Sequence, residues 1–287
     1  MIVVTGGTGA LGGAVVRELL RRVPAERLGV SVRDPGRADA LAARGVRVRR
    51  GDFADPATLA DAFEGASSVL ITSIDALGPD AVAQHVAAAR AAADAGAGRV
   101  FYTAHQNSLA DSAFAAASDH AATEAGIAEI GIPWTSLRNG FYAHTVGLLT
   151  RGAAETGEIA LPADGPVSWT AREDLAAGAA ALLAADVTGA PTFDGPTPAL
   201  TAAQAVTFDD VAETVSTASG NTVRRIVIDD DDWVERMVGA GMPRAAVELM
   251  LGLFVAARRG DFATVDPTLG ELIGRPPRTV GDVLAAA

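Results

Sequence analysis

The sequence predicts an α/β protein in which a doubly wound parallel sheet carries a smaller α+β domain toward the C-terminus. Three observations predict this architecture. The chain opens on an apolar strand, Ile2-Val3-Val4, followed by a glycine-rich turn and an apolar-periodic helix. Short apolar runs then alternate with helical segments as far as Asn139, which is typical of parallel strands joined by crossover helices. Beyond Asn139 the alternation stops, so we expect a differently organised unit there.

The turn after the first strand predicts a dinucleotide site and a Rossmann sheet. Glycines at positions 6, 9 and 12 let the backbone approach a pyrophosphate, whose charge is met by amide hydrogens at the helix N-terminus. The alternative is a glycine turn needed only for close helix–strand packing, and the strand–turn–helix context argues against it. The turn residues that we expect to bind the cofactor are Thr5, Gly6, Gly7, Thr8, Gly9, Ala10, Leu11 and Gly12.

Apolar runs and capping signals place the remaining elements. Up to Asn139 we expect strands at 28–32, 46–48, 68–72, 99–103 and 133–137. The helices between them are expected at 38–43, from 55 onward, at 80–95 and at 118–130. Beyond Asn139 we expect short strands at 159–161, 167–169 and 225–228, helices at 172–185, from 207 and from 229, and a strand at 191–194.

This pattern divides the chain into an NAD(P)-binding Rossmann domain at 1–152 and a small substrate-side domain at 153–287. A strand and a helix from about 167–195 are expected to return to the first domain. The four aspartates at 229–232 open a helix, and we expect a solvated N-cap cluster there. We predict no metal site, because consecutive carboxylates on a helix point in diverging directions.

The composition excludes several classes of function. A net charge of −12 opposes contact with phosphate backbones, so we expect no nucleic-acid partner. The chain has no cysteine, which excludes disulfides and thiolate chemistry. It also has no lysine, which excludes a Schiff base, a Walker-type lysine and a Tyr-x-x-x-Lys catalytic pair. An immediate first strand and the lack of long apolar runs predict a cytoplasmic protein without a membrane segment. We expect a monomer or a homodimer, and the sequence does not distinguish the two.

The end of the second strand predicts a preference for NADPH over NADH. Arg33 stands about twenty residues beyond the glycine turn, where an arginine favours the 2′-phosphate of NADP, and Arg37 follows one turn later. Asp34 is the rival and would favour NAD if it faced the ribose. The further cofactor contacts that we expect at the ends of the third and fourth strands are Asp52, Phe53, Thr72 and Ser73.

Several motifs resemble, in order and spacing, those of the NmrA-like atypical short-chain dehydrogenases, and most closely the type 2 NAD(P)H:quinone oxidoreductases. The resemblance covers nearly the whole chain. It implies a small C-terminal domain that closes the nicotinamide cleft and a two-electron reduction of a quinone or a similar activated carbonyl by NADPH. Some NmrA-like proteins are instead non-enzymatic redox sensors that act through a protein partner, and that alternative stays open. The motifs are Thr5-Gly-Gly-Thr-Gly-Ala-Leu-Gly12, Ser31-Val-Arg-Asp-Pro35, Gly51-Asp-Phe53, Tyr102-Thr103, Asp119-His-x-x-x-Glu124, Leu137-Arg-Asn-Gly-Phe-Tyr142 and Leu272-Ile-Gly-Arg-Pro-Pro-Arg-Thr-Val280.

The resemblance and the strand ends together give the remaining candidates. We expect His120 and Tyr142 to be catalytic; the expected substrate contacts are His105, Phe141, Tyr142 and His144, with Asn139 a further candidate. The further cofactor contacts expected after the sixth strand are Arg138, Asn139 and Gly140. His85, in the middle of an alanine-rich helix, is expected to be a structural histidine.

The chain departs from its relatives at two positions. Ala104 stands where they usually have a serine, and His120 stands where many have a lysine ahead of Glu124. Reduction of a quinone tolerates both losses, because the hydroquinone anion is resonance-stabilised and water can protonate it. Reduction of an unactivated ketone would need a positioned proton donor.

Overall fold

Seven parallel strands form the main sheet of the computed structural model, which describes residues 1–286. The strand order is β3-β2-β1-β4-β5-β6-β8, so the chain reverses direction across the sheet between β1 and β4. This order confirms the predicted doubly wound fold. The strands are β1 (Ile2–Thr5), β2 (Leu28–Val32), β3 (Arg47–Arg50), β4 (Ser68–Ile71), β5 (Arg99–His105), β6 (Trp134–Asn139), β7 (Glu158–Pro162), β8 (Gly195–Pro196) and β9 (Arg224–Ile228).

Helices cover both faces of this sheet. They are α1 (Ala10–Leu19), α2 (Asp39–Ala42), α3 (Leu59–Phe63), α4 (Pro79–Asp94), α5 (Ala115–Ala128), α6 (His144–Leu149), α7 (Ala153–Thr156), α8 (Arg172–Thr188), α9 (Phe208–Ser219), α10 (Asp230–Gly239), α11 (Arg244–Arg258), α12 (Thr268–Ile273) and α13 (Val280–Ala285). Short 3₁₀ turns span Ala25–Arg27, Pro35–Ala38 and Pro56–Thr58. No helix among residues 1–286 combines the length and the apolar character that a membrane crossing requires.

The alternation of side chains along each strand separates two cores. In β1, Ile2 and Val4 face α1 and α8, whereas Val3 faces the core of α3, α4 and α5. The sheet is buried on both faces at its centre, which explains why β1 and β4 read as short apolar runs. The ligand-binding edge is therefore the one at the carboxyl ends of the strands.

A third core lies beyond this sheet. It joins the parallel pair β7–β9 to α6, α9, α10 and α11, and aromatic rings such as Trp169, Trp233 and Phe254 fill it. Phe114 and Phe141, which belong to segments near the ends of β5 and β6, pack against the same core. The predicted division of the chain between residues 152 and 153 stays a prediction.

Two predicted strands differ from the structure. The returning strand is β8 at Gly195–Pro196 rather than 191–194. The Phe193 carbonyl is bonded to side chains instead of strand backbone, since it accepts hydrogen bonds from Arg99 Nη1 at 3.1 Å and from Thr135 Oγ1 at 2.5 Å. The segment 167–169 is not a strand either, since its only ladder contact is an isolated bridge between Val167 and Val206.

The four aspartates at 229–232 start α10. Asp229 caps the helix by accepting from the Asp231 amide at 2.9 Å. Among residues 1–286 we find no group of three or more histidines and carboxylates that could hold a metal ion.

Candidate active site

Two neighbouring cavities open at the carboxyl ends of the strands. An elongated cleft of about 820 Å³ follows β1, β2 and β4, and an apolar cavity of about 540 Å³ lies beside β5, β6 and α5. We call them the nucleotide cleft and the acceptor cavity. They share one wall, which consists of Ser73, Ile74, Asp75, Ala76 and Tyr142.

The glycine turn forms one end of the nucleotide cleft. Gly6 has a φ of +62°, a conformation that side chains disfavour, and a Cβ at Gly12 would overlap the Gly6 carbonyl. Gly9 is exposed at the cleft surface, so the backbone there is open to a pyrophosphate. The predicted residues that line this cleft are Thr5, Gly6, Thr8, Gly9, Ala10, Leu11, Gly12, Arg33, Asp52, Phe53, Thr72 and Ser73.

Gly7 is the exception in the turn. It is buried away from the cleft, and a Cβ there would lie 2.7 Å from Val30 Cγ1. Gly7 therefore serves close packing against β2, and its contact with a cofactor stays a prediction. The packing role of the turn is thus visible at Gly7, whereas Gly9 is open at the cleft surface.

The cleft fits a phosphate on the ribose. Arg33 is exposed on the wall at the end of β2, beside Arg37. The Asp34 carboxylate accepts from the Gly36 amide at 3.1 Å and so caps the turn at Pro35–Ala38. The acid that would favour NAD is thus engaged in a local cap, while two guanidinium groups face the cleft.

We expect Arg33→Ala to weaken NADPH binding by about tenfold to a hundredfold, because a charge-assisted contact is worth roughly 1.5–3 kcal/mol. NADH lacks the 2′-phosphate, so its affinity serves as the internal control and should change little. Titration of the wild type and of Arg33→Ala with NADPH and with NADH checks the assignment. An equal loss for NADH and NADPH would show that Arg33 does not read the phosphate.

Three of the four histidines line the acceptor cavity. His85 Nε2 accepts from the Ile74 amide at 3.0 Å, and His120 Nδ1 lies 2.6 Å from the Tyr102 hydroxyl. His105 lies among three phenylalanine rings. Burial lowers the pKa of His85 and His120 to about 4 and that of His105 to about 3, so all three imidazoles are neutral at pH 7.

Tyr142 stands where the cleft meets the cavity. The Arg172 guanidinium carbon lies 5.0 Å from the centre of its ring, which fixes the ring by a cation–π contact. Burial raises the pKa of the Tyr142 hydroxyl, although the nearby Arg172 charge opposes the shift. The neighbouring Phe141 ring forms another part of the cavity wall and also packs 5.1 Å from Trp169.

Four predicted site residues lie elsewhere than the sequence indicated. Arg138 lines neither cavity, because its guanidinium pairs with Glu124 at 2.6 Å. His144 lines neither cavity and faces Glu173 at 3.4 Å. Asn139 and Gly140, predicted as cofactor contacts, line the acceptor cavity instead. These four positions lie at the end of β6 or shortly after it, where the sequence alone does not tell which side chain points toward the ligand.

Other residues of the site carried no clear signal in the sequence. Phe114 and Leu249 line the acceptor cavity from segments far apart in the chain, and Arg172 lines the nucleotide cleft from the start of α8. Asp119 Oδ2 accepts from the Gly78 amide at 2.7 Å. Together with the His85 contact, this bond fastens residues 74–78 over the cavity, so His85 has a positioning role that its helical context did not indicate.

Comparisons with known proteins agree with this geometry. The model of the NmrA-like family matches residues 1–273. Quinone oxidoreductase 2 of Escherichia coli (strain K12) is 32% identical to this chain, and the match covers 98% of this chain and 96% of that protein. The NAD(P)H azoreductase of Xenophilus azovorans is 31% identical, and the match covers 100% of this chain and 97% of that protein.

Solved structures show the same similarity. The NADPH complex of the NADPH-dependent quinone oxidoreductase from Escherichia coli has a TM-score of 0.92 and 30% identity over 100% of this chain and 99% of that one. The Citrobacter sp. triphenylmethane reductase, complexed with NADP(H), has a TM-score of 0.90 and 32% identity over 100% of both chains. A family match over nearly the whole length and relatives above 30% identity confirm the predicted family: this chain belongs to the NmrA-like family.

Proposed function

We propose that this protein is an NADP(H)-dependent oxidoreductase that reduces a quinone or a similar activated carbonyl. The observation that carries the proposal is the wall shared by the nucleotide cleft and the acceptor cavity. A ring in the cavity would lie next to the cofactor, because both ligands would contact the same five residues. The oxidoreductase and reductase names of the relatives support the same class of reaction.

Each part of the site has a physical task. When bound, NADPH supplies a hydride. The glycine turn and Arg33 hold the nucleotide, while Phe141 and Tyr142 offer flat surfaces against which an aromatic ring can stack. The cavity walls are mostly apolar and exclude water around the acceptor. His120, kept neutral by burial and bonded to Tyr102, can donate a hydrogen bond but carries no charge.

The charges of the cavity narrow the substrate class. Its ionisable lining groups, besides the neutral histidines and tyrosines, are Asp75 and Asp119, and no arginine lines it. An anionic acceptor would be desolvated there without a cation to compensate. We therefore infer that the acceptor is uncharged.

A screen of NADPH oxidation tests both statements. We expect wild-type protein to oxidise NADPH with benzoquinone and naphthoquinone, and to use naphthoquinone sulfonate at least tenfold less efficiently by kcat/KM. The sulfonate makes the ring a stronger oxidant, so intrinsic reactivity would give the opposite order. Equal efficiency would contradict the charge argument. Binding of NADPH without oxidation on any quinone or activated carbonyl would favour the redox-sensor alternative.

We expect proton transfer from the protein to be dispensable for turnover. His120→Ala and Tyr142→Phe should each lower kcat only modestly, well short of the roughly 10²–10⁴-fold effect of a lost general acid. The physical reason is that a hydroquinone anion is stable enough to be protonated by water. Steady-state kinetics at saturating NADPH measures this effect. A thousandfold loss of kcat in His120→Ala would show that the protein must supply the proton.

A further inference from the structure

His105 is a polar side chain in an apolar setting. Its ring centre lies 5.8 Å from Phe114, 5.1 Å from Phe141 and 4.9 Å from Phe262. Both ring nitrogens are buried, and neither has a hydrogen-bond partner among residues 1–286. A buried polar group left in this state costs roughly 1–3 kcal/mol, so a histidine here needs an explanation other than packing.

The position of His105 in the sheet directs it toward a ligand. It is the last residue of β5 and lies opposite Asn139, the last residue of β6, in the parallel register. Both residues line the acceptor cavity, and Asn139, only 4% exposed, also has a side-chain oxygen without a partner. Neither residue lines the nucleotide cleft. His105 and Asn139 thus bring unpaired polar atoms to the acceptor cavity and not to the nucleotide cleft.

The chemistry of a neutral imidazole defines what it can bind. Burial keeps the pKa of His105 near 3, so at pH 7 the ring carries one N–H donor and one acceptor nitrogen. His105 and Asn139 line the acceptor cavity but do not belong to the five-residue wall that it shares with the nucleotide cleft. An acceptor with a single oxygen near the cofactor would leave His105 unmatched.

On the basis of the proposed reductase function, we propose that His105 is a specificity-determining residue whose N–H donates a hydrogen bond to a second oxygen of the acceptor. The acceptor is then a cyclic dione or another ring with two oxygens, held between the shared wall and the strand ends. A phenylalanine or leucine at position 105 would complete the apolar cage but would not recognise that oxygen.

Two substitutions and three measurements test the proposal. His105→Leu removes both nitrogens at similar volume, and His105→Gln keeps a donor. We expect His105→Leu to raise the KM for naphthoquinone about tenfold and to leave the Kd for NADPH unchanged, while His105→Gln recovers part of the loss. We also expect the melting temperature of the cofactor-free His105→Leu protein to rise by about 2–4 °C, because unpaired buried groups are removed.

Binding measured without turnover separates this proposal from the proposed function. Naphthoquinone binding without NADPH can be followed by tryptophan fluorescence, since Trp169 lies 5.1 Å from Phe141. A tenfold weaker affinity of His105→Leu supports the role of His105 even if the wild type reduces no quinone. Unchanged naphthoquinone affinity and KM would overturn the proposal even if the enzyme turns over. A loss confined to NADPH binding would also overturn it and assign His105 to the cofactor.

Discussion

Gly9→Val is expected to abolish NADPH binding while the protein stays folded. Gly9 is exposed at the surface of the nucleotide cleft, where the backbone must approach the pyrophosphate, and a branched side chain would occupy that space. We expect at least a hundredfold loss of affinity, measured by titration, with a circular dichroism spectrum like that of the wild type. Gly9→Ala should give an intermediate loss.

A second glycine provides a matched control for packing. A Cβ at Gly9 would lie 3.1 Å from the Gly6 carbonyl oxygen, and a Cβ at Gly13 would lie 3.1 Å from the Gly7 carbonyl oxygen. Gly13 is buried in α1 and does not line the cleft. Gly13→Ala should therefore introduce an equally close Cβ contact without loss of affinity for NADPH. Equal binding defects in the two alanine variants would favour the packing interpretation of the turn.

Mild acid is expected to destabilise the protein strongly. In the folded state burial lowers the pKa of His85 and His120 to about 4 and that of His105 to about 3, from the usual 6.5. The unfolded chain therefore binds more protons than the folded chain in mild acid. The stability that comes from keeping these histidines neutral is fully present above pH 6.5 and is lost as the pH falls toward 4. When the pH falls from 7 to 5, each histidine should lower the free energy of unfolding by about 1.5–2 kcal/mol. The three together approach the total stability of many domains, about 5–15 kcal/mol.

Urea unfolding at pH 7 and pH 5 measures this effect. We expect the free energy of unfolding of the wild type to fall by about 5 kcal/mol, which is the sum over three histidines. In His105→Leu the drop should be smaller by about 1.5–2 kcal/mol, because one titrating group is removed. An equal drop in the two proteins would show that His105 does not titrate differently in the folded and unfolded states.

The sheet and the glycine turn were predictable because their signals are local. An apolar strand, a turn with glycine at required positions and a periodic helix each follow from neighbouring residues, and the structure confirms the resulting parallel sheet. The strand at Gly195–Pro196 was misplaced for the opposite reason. Arg99, almost a hundred residues earlier in the chain, donates hydrogen bonds to the Phe193 carbonyl and the Asp194 carboxylate, and no local pattern reveals these contacts.

The orientation of side chains near the site could not be predicted from the sequence for a similar reason. Arg138 and His144 turn to Glu124 and Glu173, whose carboxylates reach them only in the folded chain. The cage around His105 joins Phe114 and Phe262, which are separated by nearly 150 residues. Motifs indicated which strand ends carry the site, but long-range packing decides which of their side chains enter it.

The wall common to the two cavities makes their ligands thermodynamically dependent on each other. Ser73, Ile74, Asp75, Ala76 and Tyr142 contact whatever fills either space, so a shift of these residues on binding one ligand changes the surface offered to the other. Any factor by which NADPH alters the affinity for the acceptor must equal the factor by which the acceptor alters the affinity for NADPH. His85 and Asp119, which anchor residues 74–78, hold one side of this common wall without touching the nucleotide cleft.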